Sequence, residues 1–125
     1  MTLVDTSVWV NHLRRGDDEL RALLDAGEVL CHPFIIGELA CGSIAKRTEV
    51  LDLVKALPQS MIAEHDEVMH FLNENLLYGR GLGWIDLHLL ASASLSKVRL
   101  WTTDRPLKRA AEDLWNRKVR SCVIP

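Results

Sequence analysis

Apolar and polar positions along this chain follow two spacings that take turns, one of strand type and one of helix type. Met1 to Val4 is short and apolar and is cut off by Asp5-Thr6-Ser7, which predicts a strand giving way to a helix start. Val8, Trp9 and Leu13 suit a short helix that stops near Arg14-Arg15-Gly16. Asp17 to Ala26 predicts a second helix, with Leu20, Leu23 and Leu24 on one face and Gly27 as its stop. Glu28 to His32 reads as a brief strand, and Pro33 opens the next helix, where its missing N–H is not needed. That helix carries Phe34, Ile35, Ile36, Leu39 and Ala40, with Glu38 among them.

The second half repeats the alternation. Thr48 or Glu49 to Leu57 is an amphipathic helix closed by Pro58, and Gln59 to Ala63 suits a strand. His65 to Tyr78 predicts a helix with Val68, Phe71, Leu72 and Leu76 on one stripe. Gly79-Arg80-Gly81-Leu82-Gly83 is a flexible loop. Trp84 to Lys97 is apolar nearly all round, which predicts a central helix, and Ala91, Ser92, Ala93 and Ser94 suit close packing there. Val98 to Thr102 is a strand. Asp104 then starts a helix with Leu107, Ala110, Ala111 and Leu114 on one face, and Arg120 to Ile124 suits a last strand. Strands alternating with helices predict an α/β fold, a parallel sheet flanked by helices. In such folds ligands bind beyond the carboxyl ends of the strands, where Asp5 and Asp104 both fall.

Composition narrows the picture. A chain of 125 residues, 48% hydrophobic and 26% charged, fits a single domain spanning 1–125. A domain of that size buries roughly two-thirds of its unfolded surface, so a metal here would serve chemistry rather than folding. The net charge of −2 argues against holding nucleic acid by bulk positive charge, but leaves room for an enzyme that brings cations to a phosphate. Cys31, Cys41 and Cys122 form no C-x-x-C pair and read as reduced thiols of a cytoplasmic protein. Neither a signal peptide nor a membrane span is expected, since Asp5 interrupts the N-terminus and the longest weakly charged run contains Asp86 and His88.

Four acids stand out by position. Asp5 ends the first strand, Glu38 lies at the margin of a mostly apolar helix, Asp86 is in the first turn of another, and Asp104 follows the late strand. Singly, each aspartate also reads as a helix cap or a dipole partner. Glu38 resists that reading, because a carboxylate beside Ile35, Ile36, Leu39 and Ala40 needs a partner. Together the four would repel by about 4 kcal/mol for each pair 4 Å apart at an effective dielectric near 20, so a converged cluster must take up protons or cations. An all-oxygen donor set suits Mg²⁺ or Mn²⁺. His12, His32, His65, His70 and His88 show no zinc-binding spacing.

At these residues the chain resembles the PIN-domain ribonucleases, and among them the VapC-type toxins of toxin–antitoxin pairs. The matching stretches are Val4-Asp5-Thr6-Ser7, Ile36-Gly37-Glu38-Leu39, Trp84-Ile85-Asp86-Leu87-His88 and Thr102-Thr103-Asp104, in that order from Met1 to about Leu114. The resemblance implies a three-layer α/β/α fold and one or two Mg²⁺ or Mn²⁺ ions on Asp5, Glu38, Asp86 and Asp104. It implies hydrolysis of RNA, often a structured RNA of the translation machinery, with Thr6 and Thr103 as hydroxyl residues supporting the site. A small VapB-like antitoxin, laying a helix into an apolar groove, would hold the enzyme inactive, and a homodimer or higher complex with it is expected. Arg80 and Arg105 are the favoured RNA contacts among Arg14, Arg15, Arg80, Arg105 and Lys108, and Trp9 and Trp84 are expected in the core rather than stacked on bases. Two rival readings stand beside this one. A Mg²⁺-dependent phosphohydrolase of small esters is disfavoured by Ser7, where a covalent aspartyl mechanism has a second Asp. A non-catalytic interaction module would use the acids as caps, which leaves Glu38 unexplained.

Overall fold

The computed structural model describes the backbone of residues 1–123 and the side chains of residues 1–118. Its elements run β1 (Thr2–Val4), α1 (Thr6–Arg15), α2 (Asp18–Asp25), β2 (Val29–Leu30), α3 (Pro33–Cys41), α4 (Arg47–Ala56), α5 (His65–Glu74), α6 (Trp84–Ser96), β3 (Arg99–Trp101) and α7 (Arg105–Val123). The strands form one parallel sheet in the order β2-β1-β3, with Leu3 opposite Leu30 on one side and Leu100 on the other. The chain leaves β1 to one side for β2 and returns to the other side for β3. That reversal makes the carboxyl end of β1 a switch point, where open α/β sheets have their crevice.

Local chemistry explains most boundaries. Asp17 caps α2, its carboxylate accepting the Leu20 N–H at 2.9 Å. His32 caps α3 through Nδ1, which accepts the Phe34 N–H at 3.0 Å, and Pro33 follows in the first turn. At the end of α6 the chain turns through Lys97 at φ 57°, and the Val98 N–H closes back on the Ala93 carbonyl at 3.1 Å.

Helix α6 holds the core together. Leu89 and Ala93 join Leu3, Val4, Val29, Trp9, Leu20, Ile35 and Leu39 in one cluster. Leu87, Leu90 and Ala91 join Val68, Leu77, Leu107 and Ala110 in a second. Leu100 of β3 touches both clusters. The all-round apolarity of Trp84 to Lys97 is thus accounted for: the helix has protein on both sides.

Three expectations are corrected. The strand at Arg120 to Ile124 is not formed, because α7 continues through Val123; neither Gly nor Pro lies between Pro106 and Pro125 to stop it. Ile124 and the side chain of Cys122 lie outside the described residues. The strand at Gln59 to Ala63 reduces to a single bridge between Cys31 and Gln59: the Ser60 N–H still donates to the Cys31 carbonyl at 2.8 Å, but the Met61 N–H donates to Ser96 Oγ at 2.9 Å instead. Finally, α5 ends at Glu74 rather than Tyr78. Leu76 turns to φ 52° and faces solvent, which hands its expected core place to Leu77.

Candidate active site

Asp5 follows β1 directly, and its N–H still bonds to the Trp101 carbonyl at 2.9 Å, extending the β1–β3 ladder by one position. Since Val4 pairs with Trp101, the next residues out, Asp5 and Thr102, face each other. The Thr102 hydroxyl donates to Asp5 Oδ2 at 2.7 Å, and the Ser7 hydroxyl donates to the same oxygen at 3.0 Å. Both hydroxyls are held in turn: Thr102 Oγ1 accepts the Asp104 N–H and Ser7 Oγ accepts the Thr103 N–H, each at 3.1 Å. The buried Asp5 carboxylate is therefore fixed in one orientation and coupled to the start of α7.

The other three acids are each held by a hydrogen bond of their own. Thr6, next to Asp5, donates to Glu38 Oε1 at 2.8 Å, bringing α3 to the end of β1. Asp86 Oδ2 accepts the Gly83 N–H at 2.8 Å across the first turn of α6. Asp104 Oδ2 accepts the Leu107 N–H at 3.1 Å and caps α7. Burial raises the Asp86 carboxyl above the usual carboxylate range; the Gly83 N–H opposes this, and the charges of Asp104 and Asp5 add to the rise. Those two charges act on Asp86 from elements far apart in sequence, so the three acids share one electrostatic neighbourhood.

A common pattern emerges. Each acid is anchored through one oxygen: Asp5 Oδ2, Glu38 Oε1, Asp86 Oδ2 and Asp104 Oδ2. The second oxygen of each takes no hydrogen bond among the described residues. The ion pairs Arg21–Asp18, His70–Glu74 and Arg80–Asp113 leave all four acids aside. Capping is therefore part of what Asp86 and Asp104 do, and it uses half of each carboxylate. Among the described residues no three His, Cys, Asp or Glu side chains are close enough as placed to hold an ion together. The four acids offer only oxygen donors, a set that suits a hard cation such as Mg²⁺ or Mn²⁺.

Glu38 is exposed rather than at the edge of the core, so its partner is the Thr6 hydroxyl and no buried charge arises. Thr6 serves Glu38, whereas at position 103 it is the backbone N–H that enters the network. Ser7 and Thr102 were not among the candidates. Thr102 becomes visible only through the strand register, and Ser7 through the helix turn that places it two residues beyond Asp5. Arg80 pairs with Asp113 at 2.9 Å, while Arg14, Arg15, Arg105 and Lys108 are exposed. Trp9 is buried, as expected. Trp84 is exposed and rests between the rings of His65 and His88, with centroids at 5.0 and 4.8 Å. A cavity of about 510 Å³ between β3, α6 and α7 contains none of the four acids.

The profile of the PIN domain matches residues 2–113: the chain belongs to the PIN domain family. It is similar to the protein named Ribonuclease VapC32 in two strains of Mycobacterium tuberculosis, CDC 1551 / Oshkosh and ATCC 25618 / H37Rv. Each is 49% identical over 114 residues, a stretch that covers 90% of this chain and 92% of the relative.

Proposed function

We propose that this chain is a metal-dependent endoribonuclease, a VapC-like toxin that hydrolyses phosphodiester bonds in RNA at Asp5, Glu38, Asp86 and Asp104. The observation that carries the reading is the half-engaged state of all four carboxylates: the fold fixes each acid and leaves an oxygen of each for a cation. The similarity to proteins named ribonucleases supports RNA as the substrate.

The chain's own groups have distinct tasks. Ser7 and Thr102 hold Asp5, Thr6 holds Glu38, and the helix-end N–H groups of Gly83 and Leu107 aim Asp86 and Asp104. When bound, Mg²⁺ or Mn²⁺ supplies positive charge that neutralises the phosphate and makes water nucleophilic near neutral pH. The Ser7 hydroxyl is committed to Asp5, so it orients the site and is no nucleophile, and position 7 lacks the second acid of an aspartyl phosphohydrolase. The same reading gives the protein a cytoplasmic setting, a VapB-like antitoxin, and a homodimer or higher complex with it. Phe34, Trp84 and Ile85 offer exposed apolar surface near the starts of α3 and α6 for such a partner.

The test is cleavage of total cellular RNA by the purified chain, freed of any partner, in Mg²⁺ or Mn²⁺, beside Asp5→Asn. Loss of groups that merely support a metal site costs about 10- to 100-fold, so loss of Asp5 itself is expected to cost at least as much. Equal cleavage by both proteins would trace the activity to a contaminant and end the assignment.

A further inference from the structure

Beside the acids, the first turns of α7 and the glycine loop enclose a concavity of about 350 Å³ lined by Arg80, Arg105, Pro106 and Arg109. Its three guanidiniums are not equivalent. Arg80 is neutralised by Asp113 at 2.9 Å. Arg105 and Arg109, one helical turn apart, have no acidic partner among the described residues. Lys108, between them in sequence, turns to the other side of α7 and lines the larger cavity. Two unpaired, exposed cations thus line the same hollow, which makes its potential positive and attractive to an anion.

The hollow is also tied to the candidate active site. Arg105 directly follows Asp104. Gly81, at φ 77°, lies against Pro106, with 3.7 Å from its would-be Cβ to the proline ring, and two residues later the Gly83 N–H holds Asp86. The Arg80–Asp113 pair and the Gly81–Pro106 contact therefore fasten the loop to α7 and form one wall of the hollow.

We infer that this pocket seats a backbone phosphate of the RNA, further along the strand than the phosphate that is cut. Arg105 and Arg109 make the contacts, and Arg80 is a positioning residue. The inference rests on the ribonuclease reading for its ligand, and it names Arg109 where the sequence pointed to Arg80. A guanidinium pair matches a phosphate bidentately, whereas an isolated lysine supplies only a point charge. A few local arginines also explain how a chain of net charge −2 holds a polyanion.

The test is binding of a fluorescent single-stranded RNA by anisotropy across a salt series, using the Asp5→Asn chain to prevent cutting. Adding Arg105→Gln and Arg109→Gln together is expected to weaken binding at least tenfold. It should also flatten the slope of log affinity against log salt by about 1.4, roughly 0.7 for each lost single-strand contact. Arg109→Lys restores part of the slope, and thermal melts confirm that each variant folds. In the active chain the loss falls on KM rather than kcat and shrinks on a dinucleotide, which is too short to reach the pocket. Unchanged affinity and slope in the double variant would overturn the phosphate seat even if the chain cuts RNA. A chain that cuts no RNA, but whose binding shows the flattened slope, would overturn the nuclease and leave the seat standing.

Discussion

Asp86 shows how the fold treats its acids. It is partly buried, near two other carboxylates, and held by a single N–H, and its raised carboxyl shows that the metal-free fold pays for keeping it ionised. Asp86→Asn keeps an oxygen for the Gly83 N–H and removes the charge. The metal-free protein is expected to gain stability at pH 7, seen as a higher melting point. The parent chain should in turn gain stability on titration with Mn²⁺, and this gain should shrink in Asp86→Asn. A variant that melts lower without metal, or responds equally to Mn²⁺, would contradict the crowding of charge described here.

Among the elements, α6 shares its side chains between both core clusters, so damage at its middle should propagate to both. Leu89 is fully buried, and Leu89→Ala is expected to cost about 2–5 kcal/mol, measured by urea unfolding. A cost below 1 kcal/mol would mean that the site collapses without loss. This helix was the most legible element in the sequence, because a run apolar on every side has only one soluble solution, burial from both sides. The three acids at strand and helix ends were legible for a similar reason, since turn chemistry marks those ends. What escaped notice depended on tertiary register. Thr102 meets Asp5 only because β3 pairs with β1 at Trp101 and Val4, which no local pattern records. Leu76 and Leu77 are equally apolar, and the left-handed turn at Leu76 decides which one is buried. The expected strand at Arg120 read its β-branched residues correctly but overlooked the lack of any helix breaker after Pro106.

For the molecule as a whole, acid sensitivity should follow from two buried imidazoles. Burial, with the charge of His88 as the lesser cause, pushes His32 down to about 4; burial and then His65 lower His88. Their folded forms bind protons less readily than the unfolded chain, so unfolding takes up protons between about pH 4 and 6.5 and stability falls as pH drops through that window. Asp86, shifted upward, works in the opposite direction and softens the fall. His32→Asn, which keeps a side-chain acceptor for the α3 cap, is expected to remove on the order of 3 kcal/mol from the pH dependence. Melting curves at pH 4.5 and 7 measure this, and an undiminished difference between them would exonerate His32. One further consequence concerns synthesis. The bond from Thr102 to Asp5 joins residues 97 positions apart, and Asp104 lies beyond it. A nascent polypeptide halted before β3 holds Asp5, Glu38 and Asp86 but has only Ser7 to hold Asp5 and lacks Asp104, so the proposed site is completed only once β3 and the start of α7 have been made. Severing the chain between α6 and β3 should leave two inert pieces, with function returning only when they are mixed and allowed to reassociate.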